Sequence, residues 1–100
     1  MICFLSARRL KPGAYNEFRR AWEPERWPSE AIRAYHLRSP DDENLVVSFG
    51  LYEGTLADRE RIRDGHGDDA GRLHRIAEHV EEPLLEGVFD VVEEVVPGVG

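Results

Sequence analysis

One hundred residues, 41% of them hydrophobic and 33% charged, describe a single globular domain over 1–100. Its core is modest, and at this size oligomerisation is a natural way to bury more surface. The net charge of −7 and the pI of about 5.0 argue against nucleic acid and anionic membrane as partners, both of which need a basic surface. No apolar run approaches the roughly 18 residues of a transmembrane helix. The single cysteine, Cys3, cannot form an intrachain disulfide, so a reducing, cytoplasmic setting is expected.

The opening stretch "ICFLSARRL" has its charges after a short apolar run, the reverse of a secretory leader, and reads as a strand of the mature protein. Alternation places Ile2, Phe4 and Ser6 on one face and Cys3, Leu5 and Ala7 on the other. "KPGAYNEFRRAW" reads as a helix with Pro12 near its start, and Tyr15, Phe18 and Trp22 share one of its faces. "EPERWPSE", with Pro24 and Pro28 bracketing Trp27, reads as a frayed end and loop. The arginines are dispersed along the chain, and no local basic stripe is expected.

"AIRAYHLRSPDDENLVVSFGLYEG" reads as a hairpin around "SPDDEN". A turn centred between Asp41 and Asp42 would pair Arg38 with Leu45, His36 with Val47, Ala34 with Phe49 and Ile32 with Leu51. That set would face the helices, leaving Arg33, Tyr35, Leu37, Val46, Ser48, Gly50 and Tyr52 on the other side. A one-residue slip would exchange the partners. "TLADRERIRDG" reads as a short helix with a capping box between Thr55 and Asp58, ended by Gly65. A third helix is expected over "DDAGRLHRIAEHVEEPLLEG", burying Ala70, Leu73, Ala77, Val80 and Leu84. "VFDVVEEVV" is then the last strand, and "PGVG" a loose tail.

The predicted fold is α+β: a ferredoxin-like β-α-β-β-α-β order, with a four-stranded antiparallel sheet and helices on one face only. The uncovered face would expose the mixed set Tyr35, Leu37, Val46, Ser48 and Tyr52, an apolar patch of the kind that usually marks an interface. A homodimer with its two sheets face to face is therefore expected.

With its opening "ICFLSARRLKPGAYNEFRRAW", its central "NLVVSFGLYEG" and its closing "HRIAEHVEEPLLEGVFDVVEEV", the sequence resembles the dimeric α+β barrel superfamily over nearly its whole length. Within it, the sequence is most similar to the small proteins related to antibiotic-biosynthesis monooxygenases. The resemblance implies a pocket between sheet and helices and a cofactor-independent monooxygenase acting on an aromatic or polyketide-like molecule. The alternative is a non-catalytic dimeric module for small-molecule binding or assembly. A haem-degrading relative would carry an asparagine on the first strand, a tryptophan on the second helix and a histidine on the helix before the last strand. Here the strand has Ser6 and Ala7, the second helix has no tryptophan, and only His79 lies near the histidine's place.

The histidines rank by their surroundings. His74 and His79, five residues apart, are about 140° apart around a helix and do not converge on a metal. No metal site and no required cofactor are expected. His66, between Gly65 and Gly67 at a helix junction, is a candidate lid residue. His36 points to the helix side, where a buried imidazole needs a partner and its pKa can cross neutrality. His36 is thus the candidate general base and Arg38, two residues on, the candidate anion stabiliser. Trp22, Trp27 and His66 are the candidate ligand-binding residues, shaping a pocket for a small aromatic ligand.

Overall fold

The computed structural model describes residues 1–98. The strands β1 (Ile2–Leu10), β2 (Ala31–Arg38), β3 (Leu45–Tyr52) and β4 (Val80–Asp90) form one sheet in the order β2-β3-β1-β4, antiparallel throughout. Helix α1 (Tyr15–Trp22) joins β1 to β2. A 3₁₀ turn (Leu56–Asp58), α2 (Arg59–Asp64) and α3 (Asp69–Ala77) join β3 to β4. This is the expected ferredoxin-like order. Of the expected tail, the last two residues lie outside the described range.

Pro12 stands in a turn ahead of α1 rather than inside it, because Gly13 takes a left-handed φ of 71° that a helix cannot hold. Phe18, Ala21 and Trp22 are buried, with Tyr15 packed beside them. The capping box forms as expected, with the Thr55 amide donating to the Asp58 carboxylate at 2.9 Å. An Asp58→Ala chain should lose about 1 kcal/mol in a urea melt, since a backbone donor loses its acceptor. An unchanged midpoint would mean that the box is not stabilising the start of α2.

Two expectations are corrected. The first concerns the hairpin. The observed pairs are Arg38–Val46, Leu37–Val47, His36–Ser48, Tyr35–Phe49, Ala34–Gly50 and Arg33–Leu51, one residue away from the expected register. His36 and Ala34 still turn toward the helices, but on β3 it is Val46, Ser48, Gly50 and Tyr52 that are buried. The apolar residues Val47, Phe49 and Leu51 share the open face with Cys3, Leu5 and Ala7, their partners on β1. Because side chains alternate with period two, the shift exchanges the whole of β3 between faces. The slip also suits the packing: Gly50 lies under the Tyr52 ring, and a Cβ there would come within 2.9 Å of it.

The second correction concerns the chain after α3. The helix ends at Ala77, and Val80 already belongs to β4. Pro83 inside a helix would remove a hydrogen bond and clash, at about 3 kcal/mol. On an edge strand it costs little, and the β1–β4 register shifts at its partner Arg8. The expected stripe of Ala70, Leu73 and Ala77 is exposed. Ile76 is the buried residue of α3, with Asp69 and Arg72 turned inward beside it. Residues 91–96 form no strand.

Along the helix-facing side of the sheet, large apolar residues sit at the ends and small or polar ones in the middle. Leu10 and Val46 join Phe18, Ala21, Trp22 and Ile76 in one cluster. Ile2 and Tyr52 join Ile62 in another. Between them stand Ser6, paired with Ser48, and Gly50, opposite Phe4 of the second cluster. Small residues there cannot fill the space between sheet and helices, and a cavity remains.

Candidate functional site

That cavity has a volume of about 360 Å³. Phe4, Ser6 and Arg8 of β1, Ser48, Gly50 and Tyr52 of β3, and Glu86 and Val88 of β4 form its floor. Trp22, Arg63, His66, Asp69, Arg72 and Leu73 close it from the helices. Its size falls in the range of small-molecule sites, which are apolar hollows with a few placed polar groups.

At one end the Tyr52 hydroxyl lies 2.7 Å from His66 Nε2, and both residues are buried. His66 Nδ1 lies 3.3 Å from the Arg63 carbonyl, to which it can only donate. Nε2 therefore carries the lone pair, and the Tyr52 hydroxyl donates to it. Burial pushes the Tyr52 pKa up to about 12 and the His66 pKa below its ordinary value. At neutral pH the pair is a neutral phenol bonded to a neutral imidazole. The phenol oxygen keeps its lone pairs for a group in the cavity.

Arg8 and Arg72 line the same space. Arg8 is 8% exposed, its guanidinium lies 5.6 Å from the Phe18 ring, and its Nη1 has no hydrogen-bond partner among the described residues. Arg72 donates from Nε to the Trp22 carbonyl, sits 4.9 Å over the Trp22 ring and approaches Asp69 at 3.7 Å. Burial lowers the pKa of both, yet an arginine stays charged.

Of the residues singled out from the sequence, Trp22 and His66 line the cavity. Trp27 packs outside both, its ring 5.7 Å from Trp22 and 5.5 Å from His66. His36 sits one step behind. Its Nδ1 lies 2.7 Å from Ser48 Oγ, which does line the cavity, and the rings of Trp22, Phe18 and Tyr15 meet it edge-on. Its Nε2 is buried without a partner among the described residues. Burial, followed by the field of Arg19 and Arg8, pulls its pKa to about 4. Arg38 lies elsewhere, over the Tyr15 ring at 5.3 Å in a separate shallow recess with Asn16 and Glu43. No three His, Cys, Asp or Glu side chains among the described residues are grouped to hold a metal ion. No helix there is long and apolar enough to cross a membrane.

Sequence reasoning missed Arg8, Ser48, Tyr52 and Arg72. The expected dispersal of the arginines holds along the chain, but the fold gathers three of them, from β1, α2 and α3, at one cavity. The usable signals were the polar interruptions Ser6 and Ser48 in otherwise apolar strands.

No family profile and no curated protein matches the sequence. Solved structures do. A Chloroflexus aurantiacus protein assigned by name to the antibiotic biosynthesis monooxygenases superposes with a TM-score of 0.72 at 8% identity, over 97% of this chain and 98% of that one. One from Nitrosomonas europaea, assigned in the same way, gives 0.70 at 18% identity, over 93% of this chain and all of that one. This chain shares the fold of these proteins. A Mycobacterium tuberculosis protein with the same fold gives 0.65 at 16% identity, over 95% of this chain and 98% of that one. Identities this low carry the fold alone and leave chemistry to the site itself.

Proposed function

We propose that the chain is a cofactor-independent monooxygenase-like enzyme for an aromatic, polyketide-like phenol, working as a homodimer joined through its open sheet faces. The observation that carries the reading is the Tyr52–His66 pair at the wall of an aromatic-lined cavity. A phenol or activated C–H gives its proton to Tyr52 Oη as the Tyr52 proton passes to His66 Nε2. The resulting anion is held beside Arg8 and Arg72. Electron-rich anions of this kind react with dioxygen directly. A methylene becomes a carbonyl, one oxygen atom enters the substrate and the other leaves as water. His36 acts through Ser48, fixing the hydroxyl that faces the substrate. Trp27 braces the Trp22 and His66 side chains, and no step is assigned to Arg38.

The test is oxygen uptake with a panel of anthrone-like and quinol substrates. Tyr52→Phe should lower the rate at least tenfold, because it removes the proton acceptor while keeping the ring. Uptake no faster than buffer across the panel would sink the enzyme reading. The apolar open face would then favour the second reading, a non-catalytic dimeric binding or assembly module.

A further inference from the structure

We propose that the cavity takes an aromatic carboxylate, its acid group against Arg8 and Arg72 and its ring between Trp22 and Phe4. The inference deepens the proposed enzyme reading by naming the ionic handle of its ligand, but the binding it describes does not require turnover. Three arginines reach this one cavity in a chain of net charge −7. The acids there are fewer. Asp69 is engaged with Arg72, and Glu86, exposed on the edge strand, is near Arg8 without bonding it. A locally cationic, half-enclosed space inside an acidic protein is selective for anions.

Arg8 decides the matter. A guanidinium taken out of water needs acceptors, and leaving one unmet costs more than an exposed charge does. Its guanidinium lies 5.6 Å from the centroid of the Phe18 ring, which fixes where the planar group stands. Arg72 is held by the Trp22 carbonyl through Nε and spends only a long contact on Asp69. A carboxylate meets such a pair of cations with charge-assisted bonds. Ser6 and Ser48, in register across β1 and β3, add hydroxyl groups on the floor, and His36 bonds to the latter. Among the remaining lining residues Phe4, Trp22 and Tyr52 offer flat aromatic faces, which favours a ring over a flexible chain. A volume of about 360 Å³ admits one or two fused rings with their substituents.

Calorimetry with 2-naphthoate and its isosteric amide tests this on the unmodified protein. The acid should bind at least tenfold more tightly than the amide, since the amide brings no negative charge to Arg8 and Arg72 and turns an N–H donor toward them. Arg8→Gln should reduce naphthoate affinity at least tenfold and the amide's affinity much less, with Arg8→Lys in between. Equal affinities for acid and amide, or no heat from naphthoate at millimolar concentration, overturn the proposal, and this comparison stands even if the Arg8 variants fail to fold. Naphthoate binding in a protein that oxidises no phenol would keep the anion site and remove the oxygenase. Phenol oxidation with acid and amide bound alike would do the opposite.

Discussion

The unmodified protein is expected to run as a dimer in light-scattering chromatography, and a Phe49→Glu chain as a monomer at the same concentration. Phe49 lies at the middle of the open face, paired with Leu5 on β1 and stacked on Tyr35 with ring centroids 5.1 Å apart. Around it, Leu37 is 49% and Leu85 51% exposed, values out of place for leucines in the sheet of a finished protein. Four strands about 4.8 Å apart, each about 27 Å long, present roughly 500 Å² of such surface. Two of them together reach about 1,000 Å², the lower bound for a specific interface. A carboxylate at the centre would be buried without a partner in the dimer and hydrated in the monomer, a difference of several kcal/mol against association. Val92→Glu, at a fully open position beyond β4, is the control and should leave the dimer intact. A monomeric parent, or a dimer untouched by Phe49→Glu, would refute the sheet-to-sheet assembly.

The element order was legible because it rests on signals that tertiary packing does not override: alternation in β1, the turn residues between β2 and β3, and the capping box at Thr55. What failed depended on position rather than type. "SPDDEN" holds several residues suited to a turn, so its centre is set by which face of β3 packs under the helices, and that is long-range information. Glu81, Glu82, Leu84 and Leu85 are good helix formers, and their local preference hid the signal of Pro83. The site inherits the first error. Assigning β3 to the wrong face sent Ser48 and Tyr52 to the outside and gave His36 apolar neighbours instead of a hydroxyl. Arg8 and Arg72 are far apart in sequence and polar, so neither hydrophobic periodicity nor spacing could bring them together.

The histidines make a further prediction, about acid. Stability should be flat between about pH 8 and the ordinary histidine range near 6.5, and fall steadily as the pH drops toward about 4. The sign follows from proton counts. In the unfolded chain His36 takes up a proton near pH 6.5, whereas in the fold it resists until about 4. Between those limits the unfolded state holds more protons, so lowering the pH favours it. The groups around the imidazole explain the resistance: burial first, then the positive charges of Arg19, Arg8 and Arg72, with Glu23 opposing them. Scaled down for the part of the ring that solvent still reaches, the loss is on the order of 2 kcal/mol. His66, also held neutral by burial, adds in the same direction. His36→Gln keeps a partner for Ser48 and does not titrate, so urea melts of this chain at fixed concentration should show a slope between pH 6.5 and 4.5 less than half that of the parent. An unchanged slope, or a His36 ring resonance titrating near 6.5 by NMR, would show that the imidazole is solvated. The Ser48 hydroxyl would then lose the neutral, fixed partner that orients it toward the cavity.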